Sequence, residues 1–374
     1  MGNEETRKGW CLMKIQYIGN FTDGTGWAKA STYNALALTS AGYDVYCKEV
    51  KYNKNQVVLE DQILELLNKE SSTYDVIVQH VLPKDYRYFG GVKNVGFVAL
   101  ESIILTNMIW LKNLNMMDEL WVPNTASKNC LVNSGISYEK IKVLPHTFNY
   151  EKVINTNSAA SISQLDNKFN FVFVGEFSKR KNLEALLRAF HGEFDYIEPV
   201  NLFIKTSSNL ETLNSFRTDV RKRMKLSSRY KEEIIICEYL PEDVLTSIVK
   251  QCHAFVMPSY GEAWCYPAME AMAAGLPVVY TNGIGIEDYQ EHESSFPVES
   301  HASYCYGATD TFDDIYTSRD LWREVDVADL QMTMRKVYEL YQTQREAYDS
   351  MSNTVKAQIA KYDFRNPEIA RSIL

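Results

Sequence analysis

The chain lacks most features that would place it outside the ordinary globular class. No run of about 18 apolar residues occurs, so no transmembrane helix is expected. Met1-Gly2-Asn3-Glu4-Glu5 is acidic and polar, without the apolar core of a secretory leader. The expectation is a cytoplasmic protein whose fold starts near Met13-Lys14-Ile15. Gly2 and Thr6 match a myristoylation pattern only loosely, and the match is read as chance. The seven cysteines include no C-x-x-C pair, which argues for free thiols in a reducing compartment. HExxH, a cysteine cluster and an EF-hand loop are absent, so no metal site is expected. A full GxGxxG is missing, which counts against a nicotinamide dehydrogenase. There is no short internal repeat and no low-complexity tract. The net charge of −9 disfavours a nonspecific nucleic-acid binder, though it leaves room for a local basic cleft.

What is present fits a soluble two-domain chain. Hydrophobic residues make up 45% and charged residues 23%, and 374 residues suffice for two domains. Tyr is abundant at 24, more than a core needs; half-buried positions are its usual place. Short apolar runs alternate with helical patterns. Strands are expected at Met13–Ile18, Tyr43–Tyr46, Tyr74–Gln79, Asn94–Leu100, Met117–Pro123 and Lys140–Leu144. Helices are expected at Ala28–Ala41, Val57–Asn68 and Thr125–Ser134, the second with Val58, Ile63, Leu66 and Leu67 facing inward. Asn155–Asn167 is rich in Asn, Ser and Ala and reads as a linker. A second series follows: strands at Phe169–Gly175, Leu202–Lys205 and Glu233–Cys237, with helices at Asn182–Phe190, within Leu210–Lys225, and at Glu242–Gln251. Ser318–Ala360 reads as mostly helical. Strands alternating with helices imply parallel sheets covered on both faces.

One unbroken stretch carries the most information: Met257-Pro258-Ser259-Tyr260-Gly261-Glu262-Ala263-Trp264-Cys265-Tyr266-Pro267-Ala268-Met269-Glu270-Ala271-Met272-Ala273-Ala274-Gly275-Leu276-Pro277-Val278-Val279. It reads as strand, loop, helix, turn and strand. Pro267 suits a first helical turn, and Gly275 with Pro277 ends the helix. A helix start offers unpaired N–H groups and a positive dipole end, which suit a phosphate. Glu262 and Glu270 flank it and can accept hydrogen bonds from sugar hydroxyls. A second segment, Phe171-Val172-Phe173-Val174-Gly175-Glu176-Phe177-Ser178-Lys179-Arg180-Lys181-Asn182-Leu183, runs a buried strand into Gly175 and three cations before a helix. Glycine there permits close backbone approach, and the cations suit a diphosphate.

These segments resemble the signature of retaining nucleotide-sugar glycosyltransferases of family 4. The resemblance implies the GT-B architecture: two doubly wound Rossmann-like domains facing each other across a cleft. It implies an acceptor-side domain at 1–154, a linker at 155–167, a donor-binding domain at 168–360, and a segment at 361–374 returning to the first domain. The implied reaction moves a sugar from a nucleoside-diphosphate sugar to an acceptor hydroxyl, with retention and without a metal or other cofactor. Glu262 is then the residue on the donor sugar, Glu270 that on the ribose, and Lys181 the cation on the diphosphate. Glu176 departs from the family, which often has Arg there, so either Lys179 or Arg180 supplies the second charge, or the diphosphate relies on Lys181 and helix N–H groups. Gly175, Trp264, Cys265 and Tyr266 belong to the implied donor site. Lys205 ends a strand on the ligand-binding side, and Tyr239 is placed near the base. Gly26, in Gly24-Thr25-Gly26-Trp27, is implied to approach from across the cleft. Glu101 could orient an acceptor hydroxyl or contact the reacting sugar; His80 and His146 are weaker candidates. Thr281–Asp288 matches a family loop beside the donor. An epimerase, a phosphorylase and a non-catalytic nucleotide-sugar-binding subunit stay open as alternatives. The acceptor is open among glycan, lipid, small molecule, protein and modified nucleic acid. The basic run from Arg217 to Lys231 is read as a solvated helix face, with polyanion or peripheral membrane contact as the lesser reading. Asp313-Asp314 is read as surface. The oligomeric state is unspecified.

Overall fold

The structure is a computed structural model. It describes residues 12–53, 57–226, 229–291, 294–308, 315–371 and 373–374. The acidic N-terminus, Gly2, Thr6 and Asp313-Asp314 lie outside the described residues.

The first domain runs β1 (Lys14–Gly19), α1 (Gly26–Ser40), β2 (Asp44–Glu49), α2 (Asp61–Asn68), β3 (Val76–His80), β4 (Lys93–Phe97), α3 (Met108–Met116), β5 (Glu119–Val122), α4 (Thr125–Asn133), β6 (Ile141–Val143) and α5 (Tyr150–Ile154). Its six strands are parallel in the order β2-β1-β3-β4-β5-β6. The second domain runs β7 (Phe169–Val174), α6 (Leu183–Glu193), β8 (Val200–Lys205), α7 (Leu210–Arg223), β9 (Ile234–Ile236), α8 (Glu242–Val249), β10 (Ala254–Met257), α9 (Tyr266–Ala273), β11 (Val278–Thr281) and β12 (Ser295–Val298). It forms a second parallel sheet, β12-β11-β10-β7-β8-β9. An antiparallel hairpin, β13 (Ser300–Tyr304) and β14 (Leu321–Val325), follows. Helices α10 (Val327–Thr343), α11 (Arg345–Ala360) and α12 (Glu368–Arg371) end the chain. Two doubly wound Rossmann-like domains are therefore present, as expected.

The order of each sheet reverses once, between β1 and β3 in the first and between β7 and β10 in the second. Loops leaving the carboxyl ends of strands at such a point diverge and leave a crevice where ligands bind. Here those loops are the ones that begin after Gly19, His80, Val174 and Met257. The sequence features singled out above therefore sit at the two crevices for a topological reason. Buried apolar residues join the domains: one hydrophobic cluster holds Ile15, Val78 and Phe97 together with Phe171, Val256 and Met269.

The chain's end packs on the first domain. Phe148 bridges to Asp363, the Tyr43 hydroxyl donates to the Arg371 carbonyl at 3.2 Å, and Lys142 Nζ donates to the Ile373 carbonyl at 2.7 Å. The 155–167 stretch is packed too. A short 3-10 turn at Ser163–Leu165 buries Leu165, and Gln251 holds the Ala160 carbonyl and the Ile162 N–H.

The structure departs from local expectation in three places. The helix expected from Val57 begins at Asp61, because β-branched Val57 and Val58 favour extended backbone. Val57 instead packs on Gly24 and Val58 is fully exposed rather than inward, while Ile63 and Leu66 are buried. Ser318–Ala360 is mostly helical, as expected, in α10 and α11, and begins with β14 paired with β13. Helix α3 was not expected. The basic run is not simply solvated: Arg217 and Arg221 both bind Glu233, which is buried and also paired with His191. A carboxylate buried that deeply requires such partners.

Two buried histidines and one half-buried one make stability depend on pH. Burial holds His80 near pKa 3. Burial, then the Arg345 charge, holds His253 near 4. Burial, then His80, holds His146 well below the ordinary value. All three stay neutral in the folded chain and take up a proton on unfolding below about pH 6.5. The unfolded chain then binds more protons, so stability falls as pH falls. The melting temperature is expected to drop between about pH 7 and pH 5, above the range where carboxylates dominate. A flat melting temperature over that interval would contradict this reading.

Candidate active site

Two loops of the second domain present the charged residues. After β7, the loop reaches α6 through Asn182, which takes a left-handed conformation (φ 52°) and caps the helix by accepting from the Ala185 N–H. After β10, the loop reaches α9 through Cys265, also left-handed (φ 70°), with Pro267 in the first turn. A left-handed residue before each helix turns the chain sharply and brings the loop side chains together. Asn tolerates that region; Cys does so at a cost of roughly 1–2 kcal/mol.

Glu262 is the hub of the site and is only 4% exposed. Its Oε1 receives Lys181 Nζ at 2.7 Å and Arg180 Nη1 at 3.0 Å. Arg180 Nη1 also donates to the Gly261 carbonyl at 2.8 Å and lies 3.1 Å from Glu101 Oε1, across the cleft. Glu101 in turn accepts from the Tyr316 hydroxyl. Burial pushes the Glu262 carboxyl up, but Lys181 and Arg180 overcome it and hold the group below the usual carboxylate range. Glu101 is pushed up by burial, which the Arg180 charge opposes and the Glu262 charge reinforces. Two neighbouring carboxylates are thus separated in proton affinity, an arrangement that favours distinct roles.

A cavity of about 420 Å³ opens between the domains. Gly26 and Glu101 line it from the first domain. Gly175, Arg180, Lys181, Glu262, Trp264, Cys265 and Tyr266 line it from the second. Trp264 and Tyr266 are also structural: the Tyr266 hydroxyl donates to the Thr147 carbonyl at 3.0 Å, and the Trp264 ring packs on Tyr289. Burial pushes the Cys265 thiol up to about 12, so it is protonated. His80 and His146 line the cavity as well.

Three expected residues lie off this wall. Glu270 accepts from Lys29 Nζ at 2.7 Å, and Lys29 also pairs with Glu242 at 2.7 Å. Lys205 Nζ donates to the Thr206 carbonyl at 3.1 Å. Tyr239 is 81% exposed. Glu176 lies 3.9 Å from Arg180 and is half exposed. The Thr281–Asp288 loop supports the site from behind: Gly285 N–H donates to the Glu262 carbonyl at 2.8 Å. Asp288 crosses the cleft to accept from the Thr125 N–H at 2.7 Å.

Sequence reasoning missed Lys29, Tyr316 and Asn124, whose amide donates to the Ala263 carbonyl. Each acts on a residue more than a hundred positions away, and no local pattern announces such a pairing. It also missed the strap at residues 315–321, which leads into β14. There Asp320 accepts from the Thr106 N–H at 2.7 Å, and Leu321 pairs with Ile104. The strap ties the second domain to the first beside Glu101. Among the described residues, no cluster of three or more His, Cys, Asp or Glu side chains could hold a metal ion. No helix among them is long and apolar enough to cross a membrane.

Comparison with known proteins gives this geometry a setting. Residues 156–303 match the family model of glycosyl transferases group 1. The chain is 26% identical over 162 residues to an uncharacterized glycosyltransferase, MJ1607, of Methanocaldococcus jannaschii, covering 41% of this chain and 40% of that protein. It is 26% identical over 111 residues to O-antigen chain mannosyltransferase B of Escherichia coli, covering 30% of this chain and 28% of the other. The matched region thus spans less than half of either relative. In structure, the chain is similar to Alr3699/HepE from Anabaena, solved in complex with UDP and glucose. The TM-score is 0.64 at 13% identity, covering 96% of this chain and 99% of that one. It is also similar to a sucrose-phosphate synthase from Thermosynechococcus elongatus, with TM-score 0.62 at 14% identity and 96% of each chain covered. At these identities the likeness establishes the fold, the two-domain GT-B arrangement.

Proposed function

We propose that the protein is a glycosyltransferase that takes a sugar from a nucleoside-diphosphate sugar and passes it to an acceptor hydroxyl, with retention and without a metal. The observation that carries this reading is the meeting of Arg180, Lys181 and Glu262, from the two loops at the second domain's switch point, with Glu101 from the first domain. The matched family segment supports the class of reaction, and the UDP complex of the Anabaena protein supports a nucleoside-diphosphate donor.

In this reading Lys181 and Arg180 take the diphosphate together with the N–H groups at the start of α9. Charge grows on the departing phosphate oxygen as the anomeric carbon becomes oxocarbenium-like. Fixed cations stabilise that charge more than they stabilise the bound donor, which is what lowers a barrier. Glu262 fixes both cations and accepts from the donor sugar. Closure of the domains excludes water that would otherwise capture the activated sugar. The interdomain contacts at Glu101, Asn124 and Asp288 supply that closure.

The test is Lys181→Ala. A hydrogen bond to a charged group contributes roughly 1.5–3 kcal/mol. The variant should lose about ten- to a hundredfold in affinity for the nucleoside diphosphate and little for the free nucleoside. Equal losses for both ligands, read by calorimetry, would reduce Lys181 to a structural cation. Turnover is expected to survive EDTA, because these side chains fill the cation roles; loss on chelation with recovery on added magnesium or manganese would contradict the metal-free reading.

Lys29 offers a further check on Glu270. If Glu270 receives the ribose, Lys29 competes for the same carboxylate. Lys29→Met should therefore strengthen binding of the free nucleoside several-fold and leave the added contribution of the diphosphate unchanged. Unaltered nucleoside affinity in Lys29→Met would separate Glu270 from the ribose.

A further inference from the structure

The cavity between the domains has two chemically different walls. The second domain contributes Arg180, Lys181 and Glu262. The first domain contributes Trp27, Leu82, Phe97, Leu105 and Trp110. Trp27 is held as a flat platform by stacking on Tyr52, with ring centroids 5.1 Å apart. Ile315, from the strap, closes the same side. A diphosphate has no use for such a wall, and the donor's charged groups belong on the opposite one.

One polar group on the apolar wall is left incomplete. His80 is 1% exposed, and its Nε2 is buried with no hydrogen-bond partner. Its Nδ1 lies 2.8 Å from the Tyr17 hydroxyl and 3.2 Å from the Ser31 hydroxyl. Neither hydroxyl has another hydrogen-bond acceptor among the described residues, which leaves both hydroxyl protons for Nδ1. Nδ1 is therefore the acceptor nitrogen and Nε2 carries the ring proton. Burial keeps the ring neutral, and its stacking on Phe97 at 4.6 Å fixes its plane. A buried N–H without an acceptor is unfavourable, and a ligand oxygen would satisfy it.

We propose that this wall is the acceptor subsite, and that the acceptor is an alcohol carried on an apolar body. The apolar body lies against Trp27, Leu82, Leu105 and Trp110, and an oxygen of the molecule accepts from His80 Nε2–H. The inference rests on the glycosyltransferase reading and names the substrate class for it. In the transfer, the acceptor oxygen bonds the anomeric carbon. The bond from that carbon to the diphosphate oxygen breaks, with its electron pair going to the phosphate. The hydroxyl proton passes to that phosphate oxygen. His80 keeps its proton throughout and is a positioning residue.

The probes are n-octyl β-D-glucoside, below its micelle threshold, and methyl β-D-glucoside, titrated calorimetrically into the protein with and without saturating UDP. The octyl compound should bind at least about tenfold more tightly, because the added methylenes leave water. His80→Phe, which keeps a ring but no donor, should weaken the octyl compound about fivefold, the scale of one neutral hydrogen bond. His80→Gln, which keeps an N–H, should restore most of that loss. Leu82→Asn, which places an amide on the apolar wall, should weaken the octyl compound without touching His80. UDP affinity should be the same in all variants. The proposal is overturned if the two glucosides bind alike, or if His80→Phe and Leu82→Asn both match the wild type. Failure of UDP to bind would instead remove the donor reading, and the glucoside comparison without UDP still decides what the wall prefers.

Discussion

Glu262→Gln should lower turnover by about a hundred- to a thousandfold, the range seen when a preorganised electrostatic partner of a reacting group is removed. Glutamine keeps the shape and loses the charge. Lys181 then has no carboxylate at 2.7 Å, and Arg180 keeps only Glu101 at 3.1 Å and the more distant Glu176. Breaking a buried ion pair from one side costs about 3–5 kcal/mol. The variant should therefore melt at a lower temperature. A nucleoside diphosphate brings its own negative charge to the stranded cations. It should raise the melting temperature of Glu262→Gln more than that of the wild type. Turnover within about threefold of wild type would remove Glu262 from the chemistry. A smaller ligand-induced shift in the variant would remove Lys181 and Arg180 from the diphosphate.

Gly261→Ala should keep both domains folded and hold them apart. A Cβ on Gly261 would overlap the Glu101 carbonyl oxygen, which belongs to the other domain. The backbone of each loop is anchored in its own domain, Gly261 through its carbonyl by Arg180, and the Glu101 loop by the Ser127 hydroxyl on Leu100 and the Asn133 amide on the Ile103 carbonyl. Relief therefore has to come from moving one domain relative to the other. Small-angle scattering should report a larger radius, and turnover should fall by at least about tenfold, as when reacting groups are misplaced by an ångström. The far-ultraviolet circular dichroism should be unchanged. A variant with wild-type radius and turnover would show that the Gly261–Glu101 contact is not required for catalysis.

The alternation of apolar runs and helical patterns made both domains legible, because a strand buried on two faces must be apolar throughout. The signature from Met257 to Val279 was legible because it combines Pro, Gly and paired Glu at fixed spacing. The short β12 to β14 segments were not legible. Phe296 stands between Ser295 and Pro297, a residue that marks turns and edges, and β13 pairs with β14 across a connection of sixteen residues, Cys305–Asp320, too long for a hairpin signal. Helix α3 was hidden because Met108 and Ile109 are exposed while Trp110 and Leu114 are buried, which blurs its apolar stripe. In the site, Lys181 and Glu262 were legible one at a time. Their ion pair was not, nor was the role of Arg180 as the link to Glu101. Such pairings follow from the packing of two domains, and a single sequence carries no local trace of them.

The most direct measurement follows a panel of nucleoside-diphosphate sugars by phosphorus NMR, each incubated with the protein in EDTA with a mixed set of alkyl glycosides. The account predicts that at least one donor is consumed. Free nucleoside diphosphate should appear with sugar on an acceptor, far faster with the wild type than with Glu262→Gln. If no donor is consumed above the rate of Glu262→Gln, the protein is not the glycosyltransferase that its site describes.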